Sequence, residues 1–457
     1  MLNSNCGVPT QSTPTPRRLH IGTALKVAVV ASCVAALAAC SPGGSTSSPS
    51  ATPTLGGVST TVPSTPVTLS IAYCDQHPVE DLMKGFTTMY PNVTFDSQYE
   101  DCNSFSTDLV NKLTSNNPPD ITEYVDAAIQ TVAPQGAVID LAPYVQAYGW
   151  ADKFPASELA QLQLSQDGKI HGQGIQYGIP GGASFVGVFY NKSLLAKAGI
   201  TALPQTVDEF EADLATAKAA GITPISLGSQ DDGGIHLWGS LVNSLLGAEA
   251  AQNWVNGTPG SDINQPATVE AAQKLVDWNQ AGYFTDSPNG TSENDARANF
   301  AKGSALFTVD GSWSLGTIPS GDEFGFFPFP VAKAGDPVTG QGFTAGFAIS
   351  SKSPNADVAA AFLDYLSSSE AAEISVGLGM LPVNIATAPD PEPGLATDLR
   401  NGYSAAAVDD GIVTFYDHAT PTMHTTLTQG LQGVIAGQST PADFVKSLQD
   451  DWTWNHS

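Results

Sequence analysis

The sequence predicts an α/β protein with two lobes. Segments with strand-like and helix-like patterns follow one another along the chain, beginning with the alternating strand pattern VTLSIAY at residues 67–73. Such alternation is typical of doubly wound sheets covered by helices. The chain has 457 residues, which is too long for one hydrophobic core. We therefore expect two α/β lobes, each with its own core.

The first predicted elements are three strands and three helices in alternation. They are strands 67–73, 92–99 and 120–124 and helices 79–90, 104–115 and 127–133. A glycine-rich break at 177–184 then leads into a strand at 185–190, and Asn191-Lys192 opens an amphipathic helix that ends near Ala198. No internal repeat of about 20 to 50 residues is present, which excludes solenoids and propellers.

The N-terminal segment is predicted to be a lipoprotein signal. Arg17, Arg18 and Lys26 precede an apolar run that ends in Leu-Ala-Ala before Cys40. A basic region, a short apolar region and small residues before a cleavage point are typical of a secretory signal. The apolar run is shorter than the roughly 20 residues of a membrane span. We expect removal of residues 1–39, lipid on Cys40 and an extracytoplasmic protein anchored to the membrane.

Residues 40–66 are predicted to be a disordered linker. Their composition is dominated by Ser, Thr, Pro and Gly, with few apolar residues to bury. Cys6 and Cys33 leave with the signal, so Cys74 and Cys102 remain as an even pair in an oxidising compartment. Both follow the carboxyl ends of neighbouring predicted strands, and we expect a disulfide between them.

Composition excludes several classes of function. The chain has 17 Lys and Arg against 44 Asp and Glu, a net charge of −27, which leaves no basic face for nucleic acid. The sequence contains no cluster of His and Cys residues and no acidic calcium-binding loop, so it does not indicate a metal site. The sequence contains no nucleophile elbow, HExxH, P-loop or dinucleotide fingerprint. A glycosidase would use paired carboxylates such as Asp231 and Asp232, but adjacent residues need not face one cleft, and two Asp in a loop are usually turn residues.

Five sequence blocks resemble a known family. They are YGIPGGASFVGVFYNK with LPQTVDEF, FAKG with AL and DGSW, GFTAG with FAIS, GMLP, and VIAG with TPAD. In this order, across residues 67–457, they resemble the bacterial extracellular solute-binding proteins of carbohydrate transport, relatives of the maltose-binding protein. The resemblance implies a periplasmic-binding-protein-like fold of two doubly wound lobes joined by a multi-segment hinge. The lobes would comprise residues 67–180 with 346–380, and 181–345 with 381–457.

The resemblance also implies a function. A sugar or oligosaccharide would bind between the lobes and be delivered to the permease of an ABC importer, without a cofactor and with the receptor as a monomer. Receptors for polyamines, polyols or peptides on the same fold remain alternatives, and an extracellular glycoside hydrolase is a weaker one. Sugar sites combine flat aromatic faces with planar polar groups.

Candidate ligand-binding residues follow strand ends, lie near the crossovers or occupy positions that match the family. The resemblance implies stacking roles for Trp313 and Tyr124, with a half-buried strand tyrosine as the alternative for Tyr124. Trp238 could equally be a core residue of a helix at 237–246. Trp150, Trp254, Trp278 and Trp452 lie in helical or terminal settings that favour packing. The full set of candidates is Asp75, Gln76, Asp101, Tyr124, Asp126, Ser184, Phe185, Asp232, His236, Trp238, Trp313 and Phe343.

Overall fold

The structure is a computed structural model. It describes residues 57–457 except 75, 101, 320, 379, 383–387, 389–392 and 409. The predicted signal, Cys40 and the first part of the linker therefore lie outside the described residues. Among the described residues, no helix combines the length and the apolar character that crossing a bilayer requires.

The described secondary structure mixes helices and short strands. The strands are β1 Val67–Tyr73, β2 Val93–Tyr99, β3 Ile121–Glu123, β4 Gln163–Leu164, β5 Ile175–Gln176, β6 Ile179–Ala183, β7 Val186–Asn191, β8 Phe307–Gly311, β9 Phe324–Phe327, β10 Gly340–Gln341, β11 Thr344–Ile349 and β12 Ile412–Val413. The helices up to β8 are α1 Gln76–Met89, α2 Cys102–Thr114, α3 Asp126–Val132, α4 Ala142–Tyr148, α5 Trp150–Lys153, α6 Ala156–Gln161, α7 Lys192–Ala198, α8 Val207–Ala219, α9 Gly233–Leu246, α10 Ala248–Val255, α11 Pro266–Gln280 and α12 Glu293–Ala301. The helices after β11 are α13 Ala356–Tyr365, α14 Ser369–Gly377, α15 Leu395–Val408, α16 Met423–Ile435 and α17 Pro441–His456.

One sheet organises the first region of the molecule. Its strand order is β2-β1-β3-β11-β6, with β1 parallel to β2 and β3 and with β11 antiparallel to β3 and β6. Helices α1 and α13 pack Leu82, Phe86 and Phe362 against this sheet, where Phe347 of β11 is also buried. The alternation predicted for residues 67–133 is confirmed to within three residues at each end of an element.

A second sheet organises the second region. Strand β7 lies between β8 and β9 and is antiparallel to both. Parallel pairs in this region include a short ladder between β10 and β12 and isolated bridges such as Ile225 to Phe307, so the region combines parallel and antiparallel pairing. The predicted opening of α7 is confirmed, because the side chain of Asn191 accepts a hydrogen bond from the backbone N–H of Leu194 at 2.9 Å.

Two short segments connect the first sheet to the second region. Ser184 and Phe185 join β6 directly to β7 of the second sheet, and residues 342–343 join β11 to β10, which pairs with β12 in a two-stranded sheet of its own. The strand pairing therefore continues the first region through Ala183, three residues past the predicted boundary at 180. The predicted domain limits otherwise stay a prediction.

The described end of the predicted linker is ordered against the first region. Val58 and Val62 pack on its core, and the side chain of Asn92 donates hydrogen bonds to the carbonyl oxygens of Pro63 and Thr65. The prediction of a disordered linker as far as residue 66 is therefore wrong for these residues, because two valines spaced along a Ser/Thr/Pro-rich stretch provide enough apolar surface to pack.

Candidate functional site

Two adjoining cavities lie between the elements of the two regions. The first, here called the apolar cavity, has a volume of about 340 Å³. The second, the polar cavity, has a volume of about 530 Å³. Glu123 and Phe343 line both cavities, so the two form a single cleft. Volumes of roughly 300 to 1,000 Å³ are usual for small-molecule sites.

The first region contributes aliphatic side chains and bare backbone to the apolar cavity. Val79 and Leu82 come from α1, and Gly182 comes from β6. A Cβ atom added to Gly182 would have no atom within 4 Å, so the backbone here faces open space. The absence of a side chain at Gly182 therefore helps to form the cavity.

The second region contributes aromatic rings. Trp313 lies in the 3-10 helix Ser312–Gly316 that follows β8, and its ring centroid is 6.0 Å from that of Phe415. Phe415 in turn stacks on Phe343 at 6.3 Å, with 28° between the planes. The Trp313 ring lies over Gly311, where an added Cβ would come within 2.2 Å of it. Glycine at 311 is thus required for the position of the indole.

A buried charge network lies on the Trp313 side of the cleft. Arg297 donates two hydrogen bonds to the carboxylate of Asp310, at 2.8 and 2.9 Å, and pairs with Glu293 at 3.2 Å. Glu293 also accepts from His236 at 2.9 Å, and the His236 ring is 5.3 Å from that of Trp313. Burial opposes protonation of His236, but the charge and hydrogen bond of Glu293, together with the charges of Asp232 and Asp310, outweigh it and raise the pKa of His236 to about 9.

The polar cavity is lined by ionisable groups from both regions. Asp126 opens α3 in the first region, and Asp417, His418 and His424 come from the second. Asp126 forms an ion pair with His418. His424 pairs with Asp232 at 2.8 Å. The two cavities therefore differ in chemistry although they share two residues.

The segments that connect the regions are bonded to each other. The hydroxyl of Ser184 accepts from the backbone N–H of Phe343 at 3.1 Å, and the backbone N–H of Ser184 donates to the carbonyl of Phe343 at 2.9 Å. Both residues line the apolar cavity. A ligand in this cavity would therefore touch both connecting segments.

Comparison with known proteins identifies the family. The description "bacterial extracellular solute-binding protein" matches residues 76–373, which is more than half of the chain. The chain belongs to this family. The predicted resemblance is confirmed. The proteins of this family bind solutes and are not enzymes.

Individual relatives agree with this assignment. A protein of Streptococcus mutans named "multiple sugar-binding protein" is 30% identical over 43% of this chain and 48% of its own length, so the chain spans about half the length of this relative. A solved structure titled "chitin oligosaccharide binding protein" is 25% identical, with a TM-score of 0.69 over 86% of this chain and 99% of that one. A family 1 extracellular solute-binding protein from Bifidobacterium longum subsp. infantis is 23% identical, with a TM-score of 0.67 over 85% of this chain and all of that one.

Five of the predicted ligand-binding residues line the cleft of this solute-binding protein. Trp313, Phe343 and Ser184 line the apolar cavity, while Asp126 and Tyr124 line the polar one, as Phe343 also does. Contact of these side chains with a ligand stays a prediction. Trp150, Trp254, Trp278 and Trp452 are buried, which confirms the packing that was predicted for them.

Two predicted ligand residues are core residues instead. Phe185 is fully buried against Phe326 and Tyr403, because the strand alternation after the crossover turns its side chain away from the cleft. Trp238 is fully buried against Tyr416 and Phe444, because it lies on the inner face of α9. Both predictions are wrong for the same reason, because an aromatic residue close to the cleft in sequence can pack into the core instead of facing the cleft.

Tyr124 lines the polar cavity but does not present an open ring. Its side chain is 1% exposed and lies against Gly178, where an added Cβ would come within 2.6 Å of the ring. The predicted role of Tyr124 as an exposed stacking platform is therefore wrong for this conformation. A tyrosine at the end of a buried strand had a packing alternative, and the structure takes that alternative.

The remaining predicted residues lie outside the cavities or outside the described residues. Asp232 and His236 line neither cavity. Asp232 pairs with His424, and His236 pairs with Glu293. Asp231, considered for a glycosidase, accepts a hydrogen bond from the backbone of Glu293. Asp75 and Asp101 lie outside the described residues, and so does the side chain of Gln76. Their predicted contact with a ligand stays a prediction.

Three residues of the cleft were missed by the sequence analysis. Glu123 lines both cavities and accepts a hydrogen bond from the backbone N–H of Cys74 at 2.7 Å, although it lies inside a strand. The other two, Phe415 and His418, are the first and last residues of the sequence FYDH. A carboxylate within a fully buried strand was a usable signal for Glu123. Nothing local indicated that FYDH would approach the first region. In the described part of the chain, no group of three or more His, Cys, Asp or Glu side chains could hold a metal ion.

Proposed function

We propose that this protein binds a carbohydrate between its two regions and delivers it to the permease of an ABC importer. The observation that carries the proposal is the apolar cavity, which is lined by Trp313, Phe343 and Phe415 and also by Glu123. Flat rings suit the C–H faces of a sugar, and a carboxylate accepts hydrogen bonds from its hydroxyl groups. The relatives named for sugar or chitin-oligosaccharide binding support the same class of ligand.

The cleft suggests how binding is coupled to movement. Trp313 and Phe415 belong to the second region, whereas Leu82 and Gly182 belong to the first. Neither region alone forms a complete site. A sugar held by both would stabilise the closed arrangement of the two sheets, with residues 184 and 343 taking up the dihedral changes.

The polar cavity keeps one alternative ligand class open. Glu123, Asp126 and Asp417 line it, and carboxylates of this kind also suit a cationic amine. A polyamine receptor would need these carboxylates to face the ligand without neutralising partners. The ion pair between Asp126 and His418 removes one of them, and this favours a sugar.

A thermal-shift screen tests the proposed ligand class. Mono- and oligosaccharides, including galactose, raffinose and chitobiose, would be compared with spermidine and with polyols. A ligand at 100 times its dissociation constant adds about 2.7 kcal/mol of stability. We expect a shift with at least one saccharide that is lost in Trp313→Ala. A shift with spermidine alone would contradict the proposal.

We also propose that the mature protein is a monomer anchored outside the cytoplasm by lipid on Cys40. The support is the Leu-Ala-Ala-Cys sequence together with the extracellular family. Mass spectrometry of the membrane fraction should find a modified N-terminal cysteine, and Cys40→Ala should release the protein or leave it uncleaved. An unmodified, soluble native protein would contradict the proposal.

A disulfide between Cys74 and Cys102 is proposed for the rim of the cleft. Its support is the parallel register of β1 and β2, which pairs Tyr73 with Tyr99 and brings the two strand ends together. The side chain of Cys102 lies outside the described residues. Thiol titration of unreduced mature protein should find no free side-chain thiol, and two reactive thiols would refute the pairing.

A further inference from the structure

One ion pair crosses the cleft between the two regions. Asp126 opens α3 beside the first sheet, and His418 lies in the 3-10 helix Tyr416–Ala419 of the second region. Their side chains are in contact through Oδ2 of Asp126 and Nδ1 of His418. The two side chains are 8% and 21% exposed, so water screens the attraction only weakly.

The same histidine contacts the aromatic wall of the apolar cavity. Its ring meets that of Phe343 edge to face at 5.0 Å and that of Phe415 at 5.9 Å. These two phenylalanines stack on each other and line the apolar cavity. The position of His418 is therefore linked to the position of two rings that would contact a sugar.

Several charged groups face this pair. Asp417 is the neighbour of His418, and Nδ1 of His171 is 3.9 Å from Oδ1 of Asp126. The other ionisable groups that line the polar cavity are Glu123, Tyr124 and His424. Burial opposes the charge on His418, but Asp126 first and Asp417 second outweigh it and raise the pKa of His418 to about 9. Burial would raise the pKa of Asp126, but the charges of His418 and His171 hold it below its ordinary value.

We propose that Asp126 is a positioning residue that, through His418, clasps the two regions together and fixes the Phe343 and Phe415 rings for sugar binding. This inference rests on the proposed sugar-binding function for its effect on affinity. It does not require Asp126 to touch the sugar. The clasp itself is a property of the empty protein and can be measured without a ligand.

The sign of the pH dependence follows from the charged pair. A histidine whose pKa is raised in the folded, closed state contributes its full stabilisation below about 6.5, the unperturbed value. That contribution is lost as the pH rises through about 9. We therefore expect sugar affinity to be highest below about pH 6.5, to fall as the pH rises from about 6.5 to 9, and to be constant above about 9. Without the carboxylate of Asp126, His418 keeps only Asp417 to oppose burial, so this fall should be smaller and should end at a lower pH.

The test compares Asp126→Asn with two control variants. Asp450→Asn removes one negative charge from an exposed pair with Lys446 on α17. Asp232→Asn removes the partner of His424 and serves as a second Asp–His pair for the titration alone. Imidazole NMR of the empty proteins would follow the titration of His418, and small-angle scattering at pH 7 and 10 would follow closure. Calorimetry with galactose, raffinose and chitobiose at pH 6 to 10 would follow affinity.

The expected results separate the inference from the proposed function. In Asp126→Asn, the His418 titration should move down by at least about one pH unit, the empty protein should open, and sugar affinity at pH 8 should fall about 5-fold or more. Asp450→Asn should change none of these, and Asp232→Asn should lower the titration of His424 and, less, that of His236, while leaving His418 unchanged. An unchanged His418 titration or an unchanged radius of gyration in Asp126→Asn would overturn the clasp. Absence of binding by every sugar, with both ligand-free effects present, would overturn the sugar-binding function alone.

Discussion

The apolar and polar cavities share Glu123 and Phe343 but use different forces. In the apolar cavity, Trp313 and Phe415 offer ring faces and Gly182 leaves open space. In the polar cavity, carboxylates and histidines from the two regions meet one another. Ring faces provide contact area for a ligand, whereas charges that meet across the cleft stabilise its closure. We therefore expect the apolar cavity to recognise the ligand and the polar cavity to stabilise closure of the cleft.

The largest expected effect separates aromatic residues that face the cleft from those behind it. Trp238→Ala should lower the free energy of unfolding by about 3–5 kcal/mol, because the side chain is fully buried and its loss leaves a cavity. Denaturant unfolding monitored by circular dichroism would measure this. The matched control is Trp454→Ala, where the tryptophan is 76% exposed and the change should be small. Equal losses in the two variants would contradict the assignment of Trp238 to the core.

A second prediction concerns another contact between the regions, where Tyr403 of α15 donates a hydrogen bond to Glu158 of α6. Burial raises the pKa of Glu158 to about 7, against a smaller opposing effect of Tyr403. For an acid with a raised pKa, the folded state binds more protons than the unfolded state, so stability falls as the pH rises from about 4.5 to 7. The fall should be on the order of 3 kcal/mol.

Glu158→Gln should remove this pH dependence. Urea unfolding of both proteins at pH 5 and pH 8 would measure it, and Tyr403→Phe would show how much the hydroxyl contributes. If the two proteins lose the same stability between pH 5 and 8, Glu158 is not the titrating group. The contrast with the Asp126–His418 pair is useful, because that pair is expected to weaken between about pH 6.5 and 9, at higher pH than Glu158.

The third prediction tests the aromatic wall of the apolar cavity. Trp313→Ala should weaken sugar binding by roughly 5-fold to 150-fold, which corresponds to about 1–3 kcal/mol of lost contact. The melting temperature of the empty protein should change little, because the ring is only partly buried. Calorimetry with the sugars of the screen would measure the affinity. Tyr124→Ala is the informative partner, since we now expect it to lower stability in the empty protein.

The smallest expected effect comes from filling the apolar cavity. Gly182→Ala should reduce sugar affinity several-fold and Gly182→Val more, because an added side chain would enter open space rather than strike the protein. Gly316→Ala is the control, since Gly316 also has free space for a Cβ but does not line the cavity. Affinity and melting temperature would be measured together. Unchanged affinity in Gly182→Val would show that the ligand lies elsewhere in the cleft.

The sequence by itself determined the fold class, the family and much of the cleft. The alternating pattern at residues 67–133 fixed the strands and helices around the first sheet, since burial of one face follows from local periodicity. The Gly-Ser-Trp turn placed Trp313 at a strand end, where α/β folds bind ligands. The block order across the chain identified the solute-binding family.

Only the tertiary structure decided which residues face the ligand and which partners they have. Phe185 and Trp238 are core residues because the path of the chain after a crossover, and the orientation of a helix, set the direction of each side chain. Asp126 and His418 are separated by almost 300 residues in the sequence, yet they form an ion pair across the cleft. Local patterns record the burial of a residue's own element, whereas contacts between distant elements arise only when the two regions pack together.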